Sequence, residues 1–285
     1  MALIAPSCTG DSTKLQGRIE AAVGAGDKSI SVPSADYCFG NRTFLIAGGN
    51  GIKIYSAGAT LWFSDADGGV LLKNCIDVTF SGFVIDRYPP PFVQAIAINA
   101  SGTDGSTLFD IPVGYPTQLA PWYSVGQAGD WQPLVYHYSS TLQPDGLPTL
   151  TGGCGAYIAG DGGNVHWLGP RRFVMRPGCP FAQNDSLVAI VWQGFSYTVA
   201  NGSRVVTENI SVHASGYMAV EEMDGAGGNV FRNVSVTPRN GRIISSTADG
   251  ECLLVSVLVC LILRSDACLM LCSIPIIRCR SGTAY

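Results

Sequence analysis

Charged side chains are scarce in this chain of 285 residues, and no part of it is rich in basic ones. Asp, Glu, Lys and Arg make up 13% of the sequence, about half of their share in an ordinary soluble domain. The formal net charge is −4, and the longest basic run is Arg171-Arg172. Because proteins that bind nucleic acid need clustered Lys and Arg, no nucleic-acid partner is expected. The composition favours a neutral or weakly charged ligand.

Sequence signals for metals, export and membranes are missing too. The ten cysteines contain no Cys-x-x-Cys pair and the three histidines are scattered, so neither a metal site nor a cofactor is predicted. Residues 1–13 lack the basic segment and apolar run of a signal peptide. The apolar run at 252–263 is too short to span a bilayer, and extending it to 277 takes in Arg264 and Asp266, which are costly in lipid. No membrane span is therefore predicted.

Glycine and apolar residues are abundant instead. The chain has 35 glycines and a hydrophobic fraction of 47%. Much Gly, Val, Ile, Asn, Ser and Thr with little charge is typical of an all-β protein with many tight turns, whereas a helical bundle would be rich in Glu, Lys, Ala and Leu.

A short motif recurs at a spacing of 24 residues. Ile-Lys-Ile-Tyr-Ser-Ala-Gly at 52–58 is followed by Ile-Asp-Val-Thr-Phe-Ser-Gly at 76–82, and a second pair of copies begins at 210 and 234. The β-branched residues alternate toward the interior of a strand, and Gly or Asn ends the strand where φ is positive. A unit of about 24 residues is too short for a βαβ crossover but fits one coil of a β-solenoid. The two copies of each pair are therefore predicted to lie in register on neighbouring parallel strands.

A long segment without the repeat interrupts the solenoid. Residues 93–196 hold most of the Pro and Trp, with strand-like runs that are separated by turn signals such as Pro-Asp-Gly at 144–146. They predict an inserted, barrel-like antiparallel β domain. The first coils then lie within residues 1–92, and the resumed coils within 197–250.

The N-terminal region predicts a cap for the open end of the solenoid. Residues 11–22 form a helical pattern, because Asp11 can cap the N-terminus and Leu15, Ile19 and Ala22 share one face. A solenoid needs such a cap, since bare strand edges invite aggregation.

Residues 251–285 depart from the repeat. The next copy is expected at 258, but Leu258 and Arg264 stand where the motif requires a β-branched residue and a Gly or Asn. Gly282 is the only glycine after Gly250. We interpret this hydrophobic, Cys-rich tail as the product of a wrong reading frame or a retained intron. The alternative is a genuine hydrophobic tail or anchor.

Several stretches resemble a known family. The helix-then-strand opening at 11–37 is similar to the N-terminal cap of the pectin lyase-like superfamily, and the stretch at 83–94 resembles the point where glycoside hydrolase family 110, the α-1,3-galactosidases, leaves its β-helix for an inserted β-barrel. Residues 206–222 look like the re-entry, and Ala-Asp-Gly at 248–250 resembles a family motif. The resemblance implies an all-β fold, a right-handed parallel β-helix (a single-stranded solenoid) with an N-terminal capping helix and an inserted antiparallel β domain.

The same resemblance implies a catalytic site and a substrate class. It assigns a catalytic carboxylate to Asp249, a polysaccharide or oligosaccharide as substrate, and an extracellular location. The family's other acids are an Asp-Asp pair about one coil later, where this chain reads Leu-Cys-Ser-Ile at 271–274. The resemblance therefore predicts an active site that is incomplete in this chain.

Two Asp-Gly pairs and two glutamates are candidates for that site. Asp224 and Asp249 are 25 residues apart and should lie on neighbouring coils, which can supply the two carboxylates of a glycosidase. Glu221 and Glu222 precede Asp224 and would add an acidic, substrate-binding patch. The alternative is that each Asp-Gly only makes a turn.

Asp86 and Arg87 stand where the insert begins. They are candidate sugar contacts, and the alternative is a structural ion pair at a domain junction. Asn209 and Asn233 both belong to glycosylation sequons, but their spacing of 24 directly before repeat strands predicts a structural Asn ladder inside the turns instead of glycan sites.

Three functions are compatible with these features. The first is a glycoside hydrolase acting on galactose-containing or related polysaccharide, with Asp249 as an acid. The second is a pectate-type polysaccharide lyase, for which Arg239 and Arg242 are the only candidate bases. The third is a non-catalytic carbohydrate-binding or surface protein. The sequence gives no indication of the oligomeric state.

Overall fold

Strands make up most of the regular secondary structure in the residues that the structure describes. The computed structural model describes residues 3–64, 68–100, 102–103, 105–117, 134–143, 148–153, 165–175, 180–190, 194–239, 241–246, 251–253 and 262–265, with the backbone alone at 134–135, 152–153, 165, 251–253 and 262–265. The elements among these residues are, in chain order, α1 (Ser12–Ala25), β1 (Ser29–Val32), β2 (Asp36–Gly40), β3 (Phe44–Ala47), β4 (Lys53–Phe63), β5 (Val70–Lys73), β6 (Thr79–Arg87), β7 (Phe92–Ala97), β8 (Thr107–Asp110), β9 (Leu134–Leu142), β10 (Pro148–Gly153), β11 (Val165–Gly169), β12 (Arg172–Met175), β13 (Ser186–Ile190), β14 (Tyr197–Ala200), β15 (Val206–Val212), β16 (Val220–Met223), β17 (Val230–Val236), β18 (Glu251–Leu253) and β19 (Ile262–Ser265).

The chain divides into two compact units. One contains residues 6–88, 193–239 and 244–285, and the other contains residues 1–5, 89–192 and 240–243. The first unit is a parallel β-solenoid of about seven turns. Its strands form two sheets, β1-β4-β6-β15-β17-β19 with β2 also paired to β4, and β3-β5-β14-β16-β18. The predicted parallel β-helix is confirmed.

The register of the solenoid strands agrees with the repeat in its second pair of copies and departs from it in the first. Ile210 pairs with Val234, 24 positions on, as predicted. In the first pair, Asn50 and not Ile52 bridges Ile76, and the spacing of 24 returns only at Ala59, which pairs with Phe83.

An irregularity in β4 causes that two-residue displacement. The register shifts between Tyr55 and Ala59, where β4 has two more residues than β6. Gly82 on β6 faces this bulge with a φ of 79°, and a Cβ there would collide with the carbonyl oxygen of Ser56. The glycine that the motif predicted as a strand end therefore accommodates a bulge inside a strand.

Equivalent residues of successive coils stack inside the solenoid. Ile46, Leu72 and Val199 occupy one stacked position and are fully buried in the core. Aromatic rings of the two sheets also pack together in the core: the ring centroids of Phe80 and Phe83, both on β6, are 4.3 Å apart, and those of Phe80 and Tyr197, on β14, are 5.7 Å apart. The burial of these side chains is the main force that holds the coils together.

The N-terminal cap consists of the predicted helix, and a disulfide lies next to it. The Asp11 side chain accepts a hydrogen bond from the Lys14 backbone N–H at 2.9 Å, and Leu15, Ile19 and Ala22 are buried. A disulfide joins Cys8 to Cys38 on β2. It fixes the segment before the helix to the first coil.

The second unit contains a seven-stranded antiparallel sheet in the order β10-β9-β13-β7-β8-β12-β11. His137 Nε2 lies 2.7 Å from Asp185 Oδ2, and the Asp185 carboxylate also accepts the backbone N–H groups of Ser140 and Ala182. Burial acts to raise the pKa of Asp185, but these hydrogen bonds outweigh it and leave the pKa lowered. The carboxylate thus joins β9 to the segment that leads into β13.

Two short segments of the tail continue the solenoid sheets. β18 pairs with β16 and β19 pairs with β17, where Leu263 lies beside Val234. The motif had placed the next copy at 258, so the tail joins the sheet at a different spacing. Its origin from a wrong reading frame stays a hypothesis. Among the described residues, no helix is long and apolar enough to cross a membrane.

Candidate functional site

Glu221 and Glu222 point to opposite faces of β16, because successive side chains of a strand alternate. Glu222 lies in register with the core residue Val199, whereas Glu221 lies in register with Thr198 on the outer face. The structure therefore does not gather the two glutamates into one acidic patch. It gives them two distinct environments.

Glu221 is a buried carboxyl group on the outer face of the sheet. Only 5% of its surface is exposed, and its Oε2 atom has no hydrogen-bond partner among the residues that the structure describes. Because burial disfavours the charged form, the pKa of Glu221 rises to about 7. A carboxyl group with such a pKa can hold a proton near neutral pH and donate it, which is the requirement for a general acid.

Glu222 is a carboxyl group inside the solenoid. Its Oε1 atom accepts a hydrogen bond of 2.6 Å from Asn229 Nδ2, and its Oε2 atom is buried with no partner in the described part of the chain. Burial raises the pKa of Glu222, and the Asn229 hydrogen bond opposes this in part. Asn229 Oδ1 also accepts the backbone N–H of Val205 at 2.8 Å. This pair belongs to the packing of one coil, away from the outer face.

Asp224 lies at an exposed turn three residues beyond Glu221. Its φ is 54°, and a Cβ at the following Gly225 would collide with the backbone of Gly202. The Asp-Gly pair therefore makes the turn that the alternative interpretation predicted. Three residues of chain span at most about 11 Å, which limits the distance between the Cα atoms of Glu221 and Asp224 but does not fix the separation of their carboxyl groups. Asp249 lies outside the described residues.

Asp86 and Arg87 also point to opposite faces, here of β6. Arg87 lies in register with the core residue Phe63 and is 1% exposed. Its guanidinium group donates to the carbonyl oxygens of Gly68 and Phe195 and to Ser196 Oγ. These contacts join the coil before the insert to the coil after it, within the solenoid unit.

Asp86 is fully buried on the outer face, where sequence reasoning did not identify its partners. Trp62 lies beside it in register, and Arg239 donates to Asp86 Oδ2 at 3.2 Å. The Arg239 guanidinium also lies over the Trp62 ring, 5.1 Å from its centroid. The repeat places Trp62 one coil before Asp86, so the register held a signal for this contact. Arg239 follows a later coil, and the sequence contained no signal for its contact with Asp86.

Metal ligands and known relatives give this site no further definition. The described residues contain no group of three or more His, Cys, Asp or Glu side chains that could hold a metal ion. No protein-family model matches the chain, and no curated protein sequence matches it either.

The raised pKa of Glu221 predicts a pH-dependent stability. Because the folded-state pKa of about 7 exceeds the usual 4.5 of an unfolded glutamate, the folded state binds more protons between these values. The contribution of Glu221 to the free energy of unfolding should therefore be largest below pH 4.5 and fall by about 3 kcal/mol as the pH rises to about 7. Urea denaturation of wild type and Glu221→Gln at several pH values measures the effect.

In Glu221→Gln, the free energy of unfolding should depend less on pH, because the contribution of Glu221 is gone. A smaller pH dependence that is due to Glu222 should remain. Glu208→Gln, on β15, is the matched control and should keep the wild-type slope. Identical slopes in wild type and Glu221→Gln would show that the Glu221 carboxyl group is not buried as the structure has it.

Proposed function

We propose that the chain is a glycoside hydrolase acting on galactose-containing or related polysaccharide, with Glu221 as its general acid. The observation that carries the proposal is the buried outer-face carboxyl group of Glu221, whose pKa of about 7 suits proton donation to a glycosidic oxygen. The exposed Asp224 nearby is the candidate second carboxylate, and Asp249 stays a further candidate. The parallel β-helix fold and the similarity of residues 83–94 and 248–250 to family 110 support this class.

The reaction assigned to this pair follows the two-carboxylate mechanism. Glu221 protonates the leaving-group oxygen while the glycosidic bond breaks, and Asp224 either attacks the anomeric carbon or activates a water molecule. The separation of the two carboxyl oxygens decides between these outcomes, since a nucleophile must lie nearer to the acid than a base that activates water.

Release of free galactose without added metal tests the proposal. Oligosaccharides that end in α-1,3-linked galactose, and a neutral galactan, serve as substrates. Glu221→Gln should lower kcat by about a hundredfold or more, because removing a general acid typically costs this much. The wild-type kcat/KM should fall as the pH rises above about 7, where Glu221 loses its proton. Glu208→Gln is again the control and should keep wild-type activity.

Other results would lead to a different function. Full activity in Glu221→Gln would remove Glu221 from the chemistry. A rise in absorbance from unsaturated uronides would identify a lyase. Binding of the oligosaccharides without turnover would favour a non-catalytic carbohydrate-binding protein.

A further inference from the structure

Arg239 is held in one position on the outer face of the first solenoid sheet. Its Nη1 atom donates to Asp86, which is fully buried, and its guanidinium plane lies over the ring of Trp62. A buried carboxylate and an aromatic face are the two kinds of support that orient an arginine side chain. The guanidinium group is therefore preorganised by two neighbouring strands, β4 and β6.

The backbone that leads to Arg239 is fixed as well. The Thr237 N–H donates to the Val212 carbonyl oxygen at 3.1 Å, and the Thr237 carbonyl oxygen accepts from His213 Nδ1 at 2.9 Å. Pro238 follows and restricts its own φ. The side chain thus starts from an anchored point at the end of β17, so that little conformational entropy remains to be lost when it binds a ligand.

Most of the donor capacity of Arg239 is unused within the part of the chain that the structure describes. A guanidinium group has five N–H donors, and of these only Nη1 has a hydrogen-bond partner among the described residues, the Asp86 carboxylate. The side chain is 43% exposed, whereas Asp86 is 0% exposed. Solvent therefore reaches the arginine and not its carboxylate partner. An anion can approach the free donors without meeting the Asp86 carboxylate directly.

We propose that Arg239, supported by Asp86 and Trp62, recognises an anionic group on the polysaccharide, a carboxylate or a sulfate ester. A planar guanidinium fork matches the paired oxygens of such groups. The identification of the ligand as a polysaccharide rests on the proposed function, while the anion recognition rests on the geometry of Arg239. The site lies on the first sheet and Glu221 on the second, so it would define which acidic polysaccharides are bound and not how they are cleaved.

Binding to three glycans tests this proposal. Calorimetric titration of Glu221→Gln protein, which blocks the proposed turnover, is performed with oligogalacturonate, with a sulfated galactan and with a neutral galactan. We expect tighter binding of at least one anionic glycan than of the neutral one, weakened by added salt. Adding Arg239→Gln should reduce the affinity for the anionic glycan about tenfold or more and leave the neutral glycan unaffected. Arg232→Gln, on the exposed face of β17, is the matched control.

A second variant separates loss of binding from loss of folding. Arg239→Gln removes one partner of the buried Asp86, so Asp86→Asn/Arg239→Gln is titrated too and should show the same loss of anion binding. Equal affinity for all three glycans, binding of none, or an unchanged affinity after Arg239 is replaced would each overturn the proposal. Galactose release by the wild type is measured separately. The proposed hydrolysis and the proposed anion recognition can therefore be confirmed or contradicted independently of each other.

Discussion

Replacement of Arg87 by Met should lower the free energy of unfolding by about 5 kcal/mol, because it removes the guanidinium donor of the carbonyl oxygens of Gly68 and Phe195 and of Ser196 Oγ. The arginine is 1% exposed, so water cannot replace its hydrogen bonds. Its contacts join the coils on either side of a long insertion in the sequence. Urea denaturation, with the slope m checked for two-state unfolding, measures the loss.

The control for Arg87 is the exposed Arg232 on β17. Arg232→Met changes the same chemical group on the same solenoid and should shift the stability by no more than about 0.5 kcal/mol. Arg87→Lys keeps the charge but cannot supply the planar fork, so it should retain only part of the stability. A stable Arg87→Met protein with weakened glycan binding would instead support the sequence-based prediction that Arg87 contacts a sugar.

Features that repeat along the chain were predictable from the sequence. The coil length, the parallel pairing of 210 with 234 and the capping helix depend on local periodicity and on one capping side chain, which a sequence displays directly. The Asn ladder is confirmed as well, since Asn233 Nδ2 donates to Asn209 Oδ1 at 2.8 Å. Both asparagines have positive φ within β15 and β17 and not in turns, so their position in the coil was wrong.

The arrangement of the candidate site was not predictable in the same way. Adjacent acidic residues suggested an acidic patch, but a strand separates neighbours onto opposite faces, as it does for Glu221 and Glu222. Asp86 and Arg87 are separated likewise. The alternation of side chains between two faces was readable from the motif. Which of the two faces is interior depends on the register of the strands. The bulge between Tyr55 and Ala59 was equally hidden in the repeat, although its shift of two residues leaves the faces of the strand unchanged.

Asn229 and Glu222 show how two deviations from the repeat compensate each other. Val199 on the preceding coil pairs with Glu222, and Val205 lies 24 positions before Asn229, next to the paired Val206 and Val230. Two apolar positions of one coil have thus become two polar positions of the next. A buried carboxyl group is costly without a partner, and a buried amide is costly without acceptors, so each residue makes the other tolerable.

Asn229→Val should therefore be much more harmful than the loss of one amide suggests. It removes the donor to Glu222 Oε1 and the acceptor of the Val205 N–H, and the expected loss of stability is about 4 kcal/mol. Glu222→Val/Asn229→Val recreates the apolar pair of the preceding coil and leaves only the Val205 N–H unpaired, so it should recover about half of that loss. Urea denaturation of the two single variants and the double variant gives the coupling energy, whose magnitude is expected to exceed about 2 kcal/mol by the loss that Glu222→Val causes alone. Additive losses of stability would mean that Glu222 and Asn229 do not act as a unit. Their presence at two positions that are apolar in the preceding coil would then need another explanation.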